Sequence, residues 1–335
     1  MTTTVIDQVI TDDYALYRAD CVEVVRGLPD NSVGYSIFSP PFRGIYVYSS
    51  DPRDMANVTS DAEFDEHFRF LIRELYRVLK PGRLVSFHCM NLPASKARDG
   101  FIGLHDFRGD LIKDFQREGF IYHSEVVIWK DPVTAMQRTK ALGLLHKQLK
   151  KDSCMSRQGI PDYFVTMRKP GENTEPVTHT NETFPVGQWQ HMASPVWSDA
   201  SFPREDWQTE MALLQTADGK FVTPHDVWMD INPSDTLQYM SAREDQDERH
   251  ICPLQLEVIR RGLRMWSNPG DIVLSPFAGI GSELYTALQM GRRAVGAELK
   301  RSYFEQNARN LAGVIRDREQ PALFNLPHTF FGRAG

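Results

Sequence analysis

The stretch Val33-Gly-Tyr-Ser-Ile-Phe-Ser-Pro-Pro-Phe42 joins a short apolar run to a pair of prolines. The run Val33 to Phe38 is typical of a buried strand. The prolines end it, because proline cannot donate to a strand ladder and restricts the residue before it to an extended conformation. The pattern predicts a stiff loop carrying the Ser39 hydroxyl and the Phe42 ring at the carboxyl end of a strand. Ligands bind at this end in open α/β sheets, although a turn without function is the alternative for S-P-P-F alone.

A second stretch, Asp271-Ile-Val-Leu-Ser-Pro-Phe-Ala-Gly279-Ile-Gly281-Ser282, again places a turn after a predicted strand and before a predicted helix. Gly279 and Gly281 permit positive φ angles and let a ligand approach the backbone. One strand later, Ala294-Val-Gly-Ala-Glu298 ends in an acid, as ribose-binding acids do. The glycine turn and the acid together indicate a nucleoside-cofactor site. The missing third glycine and the absence of G-x-x-x-x-G-K-[ST] argue against dinucleotides and nucleoside triphosphates.

S-P-P-F at 39–42 and F-x-G-x-G at 277–281 together resemble the S-adenosylmethionine-dependent amino-methyltransferases of DNA, which methylate cytosine N4 or adenine N6. The order, catalytic loop first and cofactor loop last, resembles the circularly permuted β class. Similar segments at 20–33 and 79–85 extend the resemblance over nearly the whole chain. It implies a Rossmann-like α/β fold, in which a mixed, mostly parallel sheet has helices on both faces and carries a target-recognition insertion.

The composition of the 335 residues is that of an ordinary globular protein, with 41% hydrophobic and 24% charged side chains. Because no apolar run reaches about 18 residues and no signal-peptide pattern is present, we expect a cytoplasmic protein without a membrane span. The four cysteines form no C-x-x-C pair, so neither a zinc site nor a disulfide framework is implied. The net charge of −6 requires that any DNA-facing charge be local.

The chain divides into four predicted parts. Residues 1–170 form the catalytic half, 171–249 the target-recognition region, 250–320 the cofactor-binding half of the same fold, and 321–335 a tail. In the first part, apolar spacing predicts helices over 64–79, closed by Pro81-Gly82, and over 107–115. Strands are predicted over 14–17, 84–88, 125–130 and 162–169, the last two as an antiparallel hairpin at the sheet edge that is typical of the resembled family.

A basic insertion separates the two arms of this hairpin. Residues 130–169 contain nine lysines and arginines against three aspartates, whereas residues 199–249 contain twelve acids against four basic residues. The first segment favours contact with DNA phosphates, with a solvated helix as the alternative, and the second cannot be a broad phosphate-binding face. The predicted DNA-binding residues are Arg43, Lys130, Arg138, Lys140, Lys147, Lys150, Lys151 and Arg157.

The resemblance implies S-adenosyl-L-methionine as the cofactor and assigns residues to it. The implied set is Asp20, Phe277, Gly279, Gly281, Ser282, Glu298, His250 and Pro253. The glycine turn is expected at the methionyl part, Glu298 at the ribose hydroxyls and Asp20 at the adenine side, with a helix N-cap as a compatible interpretation of Asp20. The segment His250-Ile-Cys-Pro253 departs from the family's His-Pro pattern at the methionine end.

The catalytic residues that the resemblance implies are Ser39, Pro40, Pro41 and Phe42. An exocyclic amino nitrogen is a poor nucleophile, because its lone pair is conjugated into the base. The Ser39 hydroxyl and the Pro40 carbonyl are expected to accept its two hydrogens while Phe42 stacks on the base, so that orientation supplies much of the acceleration. A base inside a duplex cannot reach this position, which implies base flipping. His88, at the end of the predicted strand 84–88, is expected to be structural, with a polar helper role as the alternative.

The target base follows from the first residue of the loop. In the resembled family S-P-P-[YF] is mostly found in cytosine-N4 enzymes and D-P-P-Y or N-P-P-Y in adenine-N6 enzymes. Ser39 therefore favours cytosine N4, with adenine N6 as the alternative. Methylation of RNA or protein amino groups and a non-catalytic DNA-binding relative are further alternatives. The expected partner is double-stranded DNA, and a homodimer and a separately encoded restriction enzyme are open.

Overall fold

The computed structural model describes residues 4–43, 51, 53–58, 60–94, 96–129, 160–198, 231, 235–238, 242 and 254–319. Nine of the residues predicted to bind DNA or cofactor lie outside these ranges: Lys130, Arg138, Lys140, Lys147, Lys150, Lys151, Arg157, His250 and Pro253. None of the helices in the described ranges is both long and apolar enough to cross a lipid bilayer.

The described chain alternates strands and helices. The strands are β1 (Asp7–Ile10), β2 (Tyr14–Arg18), β3 (Val33–Phe38), β4 (Leu79–Met90), β5 (Leu92–Ala94), β6 (Gly103–His105), β7 (Ile121–Trp129), β8 (Asp162–Arg168), β9 (Val196–Ser198), β10 (Ile272–Ser275) and β11 (Arg293–Ala297). The helices are α1 (Cys21–Arg26), α2 (Asp61–Val78), α3 (Lys96–Asp99), α4 (Phe107–Arg117), α5 (Val186–Met192), α6 (Leu256–Trp266), α7 (Ser282–Gln289) and α8 (Arg301–Glu319), with a short 3-10 turn at Met55–Asn57.

Nine strands form one sheet in the order β1-β2-β11-β10-β3-β4-β8-β7-β9. The strands from β2 to β4 run parallel, and β8 lies antiparallel between β4 and β7. The predicted mixed, mostly parallel sheet and its antiparallel hairpin are therefore confirmed, but the edge strand beside the hairpin is β9 and not β7. Strand β9 falls inside the predicted recognition region but pairs with β7, Val196 opposite Val127, so the sheet extends past residue 170.

The centre of the sheet joins the two halves of the chain. β3 and β10 are parallel neighbours, with Leu274 opposite Ser36, and the buried Ser36 hydroxyl donates to the Leu274 carbonyl at 2.9 Å. From β3 the chain passes through α2 to β4 on one side, and from β10 it passes through α7 to β11 on the other. The strand order thus reverses between β3 and β10, and open α/β sheets bind ligands outside the carboxyl ends of the strands at such a switch point.

Two apolar cores cover the two faces of the sheet, which confirms the prediction of helices on both faces. On one face α1, α2 and α4 pack on the strands, and the Phe64 and Phe68 rings stack at 5.6 Å between centroids. On the other face α6, α7 and α8 contribute apolar side chains that include Leu263, Leu284 and Leu311. Each such fully buried side chain contributes roughly 1.5–3 kcal/mol to folding, so the sheet is held rigid from both sides.

The start of β4 differs from the sequence prediction. Helix α2 begins after Ser60, whose hydroxyl accepts from the Glu63 amide at 3.2 Å, and it ends at Val78. Pro81 and Gly82 then lie inside β4, where the pairing register shifts and Gly82 has a φ of 70°. This bulge lets the strand hold a proline, which has no N–H for the ladder, so the strand starts at Leu79 instead of near residue 84.

A buried ion pair ties the central strands together at their amino ends. Arg83 on β4 donates to the Gly34 carbonyl at 2.8 Å and pairs with Asp271, just before β10. A Cβ on Gly34 would lie 2.6 Å from the Asp271 Cγ, so glycine is required for Asp271 to approach. These contacts fix the register of β3, β4 and β10 at the amino ends of the strands. They thereby also fix the relative position of the two loops at the carboxyl ends.

Candidate active site

The glycine loop lies between β10 and α7. Gly279 and Gly281 have φ angles of 50° and 95°, in the region that favours glycine. The Gly281 amide donates to the Ala278 carbonyl at 2.7 Å, and the Ala278 amide donates to the Ala297 carbonyl at 2.9 Å, at the end of β11. These bonds form a tight turn, and the first amides of α7 that follow it lack acceptors within the helix.

Two asparagines of α8 hold the back of this loop. The Asn307 side chain donates to the Gly279 carbonyl at 3.2 Å, and the Asn310 side chain donates to the Ile280 carbonyl at 2.8 Å. Sequence reasoning did not find them. The signal was their i, i+3 spacing on a helix that follows Glu298, which places both on one helix face. With two loop carbonyls engaged by α8, the opposite side of the loop is left for a ligand.

The loop has the features of a ligand cradle. A Cβ on Gly279 would meet no atom of the described residues within 4 Å, so among these residues open space lies against bare backbone there. The Ser275 and Ser282 hydroxyls, at the end of β10 and the start of α7, are buried without a hydrogen-bond partner among the described residues. A ligand with polar groups would satisfy these hydroxyls, and the amino-acid end of S-adenosyl-L-methionine has such groups.

The Glu298 carboxylate, directly after β11, contacts the same loop. One of its oxygens accepts from the Gly279 amide and the other from the Lys300 amide, both at 2.8 Å. Burial, followed by the nearby charge of Asp54, raises the pKa of Glu298 to about 7, although the amide bonds oppose the shift. Each carboxylate oxygen has two lone-pair sites, so Glu298 retains capacity to accept from ligand hydroxyls.

Asp20 lies at the carboxyl end of the next strand of the sheet, β2. It follows β2, which pairs with β11, and the Glu298 amide donates to the Tyr17 carbonyl at 3.0 Å. Its Oδ1 accepts from the Val22 and Glu23 amides at 2.8 and 3.1 Å, so the N-cap interpretation is confirmed. Burial is the largest cause that raises the pKa of Asp20. The predicted cofactor contact stays a prediction.

The proline loop begins at the carboxyl end of β3. Ser39 and Phe42 are half-buried, whereas Pro40 and Pro41 are buried. The Phe42 ring meets the Phe107 ring edge-on at 6.2 Å between centroids, which anchors the end of the loop on α4.

Phe277, in the glycine loop, packs against β3 and α2. Its ring lies 5.7 Å from the Phe38 ring and is stacked on Phe68 at 6.3 Å. Phe38, the residue before the proline loop, therefore belongs to a packed layer of aromatic rings. The predicted contacts of Ser39, Pro40 and Phe42 with a base stay predictions.

His88 links the proline loop to the edge hairpin. Its Nδ1 lies 3.1 Å from the Ser39 Oγ, and its Nε2 lies 2.6 Å from the Asp162 Oδ2. His88 is near the end of β4 and Asp162 is the first residue of β8, which pairs with β4. Sequence reasoning predicted a structural role for His88 and did not single out Asp162. The structure places both side chains in line with Ser39.

Arg43 requires a correction. It was predicted to contact DNA, but its side chain is buried and its guanidinium is directed into the protein. It pairs with Asp65 and, at 3.2 and 3.7 Å, with Asp110 and Asp61. It also lies over two aromatic rings, those of Phe64 and Phe107, at 5.5 and 5.1 Å from their centroids. The charge is neutralised by carboxylates of α2 and α4, so Arg43 anchors the end of the proline loop and is not available to phosphate.

No group of three or more His, Cys, Asp or Glu side chains within the described ranges is arranged to hold a metal ion. A glycine loop and a serine-proline loop at one switch point of a doubly covered sheet define a Rossmann-like enzyme with a nucleoside cofactor. A family model described as DNA methylase, for N6 and N4 enzymes, matches residues 36–309, which include both loops. The chain belongs to this family.

Individual relatives agree with this assignment. Type II methyltransferase M.BamHI of Bacillus amyloliquefaciens is 22% identical over 289 residues, which cover 86% of this chain and 55% of that protein. The chain thus spans about half the length of this curated relative. TTHA0409 of Thermus thermophilus, a proposed DNA modification methylase solved with S-adenosyl-L-methionine, is 22% identical with a TM-score of 0.55, covering 88% of this chain and 92% of that one.

The PvuII DNA methyltransferase, named as cytosine-N4-specific, has a TM-score of 0.56 at 12% identity, covering 93% of this chain and 94% of that one. These structural likenesses show the shared Rossmann-like fold.

Proposed function

We propose that this protein transfers a methyl group from S-adenosyl-L-methionine to the exocyclic amino group of a base flipped out of double-stranded DNA, with cytosine N4 as the target. The observation that carries the proposal is the position of Ser39. Ser39 directly follows β3, whose parallel neighbour β10 leads into the glycine loop, and its hydroxyl contacts His88 at 3.1 Å. A polar acceptor at a nucleoside-cofactor crevice is what amino methylation requires.

The bound cofactor supplies an electrophilic methyl group on a positively charged sulfur. Gly279, Gly281 and Ser282 hold its methionyl part, Glu298 its ribose hydroxyls and Asp20 its adenine side in this proposal. Support comes from the open space at Gly279, from the Ser282 hydroxyl, which has no partner among the described residues, and from the position of both acids just after two adjacent strands, β2 and β11. The roles of His250 and Pro253, outside the described ranges, are proposed on the family pattern alone.

The residues of the proline loop prepare the base. The Ser39 hydroxyl and the Pro40 carbonyl accept the two amino hydrogens, which favours a pyramidal nitrogen and frees its lone pair. Phe42 stacks on the base. Because both loops are fixed to buried strands, the reacting groups are held in place before the reaction, and such orientation supplies a large part of the acceleration.

Cytosine N4 is preferred because the loop begins with Ser39 and not with an aspartate or asparagine. Adenine N6 is the second candidate, since both bases present an exocyclic amino group to the same loop and the family includes enzymes for each. We further propose that the basic insertion 130–169 contacts phosphates, except at its end in and after β8, where Lys169 is buried and donates to the Leu79 carbonyl at 2.7 Å. Residues 171–249 select the DNA sequence in this proposal. A homodimer and a separately encoded restriction enzyme are proposed partners beyond the DNA itself.

Nucleoside mass spectrometry of DNA from cells that express the protein tests the proposal. We expect N4-methylcytosine with the intact protein, none with Ser39→Ala, and wild-type amounts with the control Ser32→Ala. Ser32 precedes the same strand at its opposite end, where its hydroxyl donates to the Pro29 carbonyl at 2.7 Å. N6-methyladenine in place of N4-methylcytosine would overturn the choice of base. No methylated base from a folded protein that binds S-adenosyl-L-methionine would overturn DNA methylation.

A further inference from the structure

We infer that Ser39, His88 and Asp162 form a proton relay, which carries the proton released by the methylated amino group from Ser39 to His88. The inference rests on the proposed function and extends it, because it assigns the path of the proton that the reaction must release. His88 and Asp162 act through Ser39 and are positioning residues for it.

The three side chains form a continuous line across two strands and a loop. The Ser39 Oγ lies 3.1 Å from the His88 Nδ1, and the His88 Nε2 lies 2.6 Å from the Asp162 Oδ2. The His88 side chain is 11% exposed and that of Asp162 is 2% exposed. Antiparallel pairing of β4 and β8 sets Phe164 opposite His88 and Asp162 opposite Met90, so the carboxylate reaches the imidazole from the neighbouring strand.

The contacts determine which nitrogen of His88 carries the hydrogen. An ionised carboxylate only accepts hydrogen bonds, so the His88 Nε2 next to Asp162 carries the hydrogen in the neutral ring. The Nδ1 then has a lone pair and accepts from the Ser39 hydroxyl. Both lone pairs of the Ser39 oxygen are left for an incoming donor. The network thus prepares Ser39 as an acceptor, which is the role that the amino group of a target base requires.

The proton balance of the reaction gives His88 its second role. The N–C bond that forms replaces the S–C bond of the sulfonium, whose electron pair stays on sulfur. The nitrogen then carries a positive charge and two hydrogens, one of which must leave. It passes to the Ser39 Oγ while the hydroxyl proton of Ser39 passes to the His88 Nδ1. The imidazolium that results is stabilised by the Asp162 carboxylate, as a positioned carboxylate stabilises the imidazolium of other serine–histidine pairs.

The test compares steady-state methylation by purified wild-type protein, His88→Gln, Asp162→Asn and the control His123→Gln. His123 also contacts a serine, with Nδ1 2.9 Å from the Ser124 Oγ, but it lies near the start of β7, where Ile121 pairs with Arg168 at the far end of β8. Glutamine at 88 can still donate to Asp162 and accept from Ser39, so it keeps the orientation of Ser39 and removes the proton acceptor.

We expect kcat to fall by about 100-fold or more in His88→Gln, the usual contribution of a positioned acid–base group, and by about tenfold or more in Asp162→Asn. KM for DNA and the affinity for S-adenosyl-L-methionine stay within about twofold of wild type in both variants, because neither residue is assigned to binding. His123→Gln keeps the wild-type kcat. Thermal unfolding of each variant shows that the fold is retained.

The effect of exogenous imidazole on kcat is a second measurement, and it would show no change if His88 had only a structural role. In His88→Ala, imidazole is expected to raise kcat, because it supplies the missing acceptor next to Ser39. Should this variant fail to fold, the comparison with His88→Gln decides alone. A wild-type kcat in His88→Gln, a loss confined to KM, or a folded His88→Ala that imidazole does not accelerate would each overturn the relay. Absence of methylation by the wild-type protein would instead overturn the proposed function.

Discussion

Replacement of Gly279 by alanine should separate binding of the cofactor from stability of the loop. Gly279 has a φ of 50°, and a Cβ there would meet no atom within 4 Å in the part of the chain that the structure describes. Gly291, after α7, is a matched control, because its φ is 78° and a Cβ there would also meet no described atom within 4 Å. The two substitutions impose the same backbone conformation on alanine, but only the first fills the space that we assign to the ligand.

The expected stability change is the same for both variants. An alanine in the left-handed region costs about 1–2 kcal/mol, which is a fraction of the roughly 5–15 kcal/mol that holds a domain folded. In Gly281→Ala a Cβ would lie 2.2 Å from the Asn307 Oδ1, so Asn307 must release the Gly279 carbonyl. This adds about 1 kcal/mol for a lost hydrogen bond, so Gly281→Ala should be the least stable of the three.

The affinity for S-adenosyl-L-methionine should separate Gly279→Ala from Gly291→Ala. A methyl group that overlaps the ligand is expected to weaken binding at least about tenfold, or about 1.4 kcal/mol, whereas Gly291→Ala should bind like wild type. Isothermal titration calorimetry gives the affinities, and urea unfolding gives the stabilities. Equal affinities of the two variants would refute the assignment of the open space at Gly279 to the cofactor.

Two further substitutions test charges near the site. Arg43→Met keeps an apolar contact with Phe64 and Phe107 but leaves the Asp65 carboxylate and its neighbours without a counter-charge. The free energy of unfolding, measured by urea titration, should therefore fall by about 2 kcal/mol. This is less than the full penalty for breaking a buried ion pair, because the carboxylates are partly exposed. Duplex affinity should be unchanged, and a large loss of it at wild-type stability would contradict the anchoring role. For Glu298, the folded-state pKa of about 7 lies above its ordinary value of 4.5, so the fold favours the protonated form and stability should decrease as pH rises from 4.5 to 7. Unfolding measured across this interval should show a shallower decrease in Glu298→Gln, and an unchanged slope would contradict the pKa shift.

The fold was largely predictable because its signals are local. The apolar run before Ser39 and the alternation of strand and helix patterns around it predicted β3, α2, α4, β7 and β8, all of which the structure confirms. The bulge in β4 was not predictable, because the Pro81-Gly82 pair normally marks the end of an element. Only the pairing of Leu79 with Val33 and of Leu84 with Tyr35 shows that the strand continues through it.

The difference between local and long-range signals also explains why the contacts of a charged residue near the site were not predicted. Sequence reasoning treated Arg43 as available to DNA, because it directly follows the proline loop and begins a polar segment, 43–60, that is rich in Tyr, Ser and Asp. Its partners Asp65 and Asp110 come from two helices that converge only when α2 and α4 pack on one face of the sheet. An arginine becomes a buried anchor through such convergence, and composition gives no indication of it.

The Ser39–His88–Asp162 arrangement depends on the sheet in a more specific way. Ser39 and His88 are brought together because β3 and β4 are parallel neighbours. Phe38 lies opposite Phe87, so the next residue of each strand, Ser39 and His88, reaches the same edge of the sheet. Asp162 reaches His88 only because β8 runs antiparallel to β4 and starts where β4 ends. A shift of one residue in this register would turn the Asp162 side chain to the other face of the sheet. The antiparallel hairpin that was predicted from the sequence therefore supplies one residue of the relay that we propose, and the reversed direction of β8 is what brings that residue to the carboxyl ends of β3 and β4.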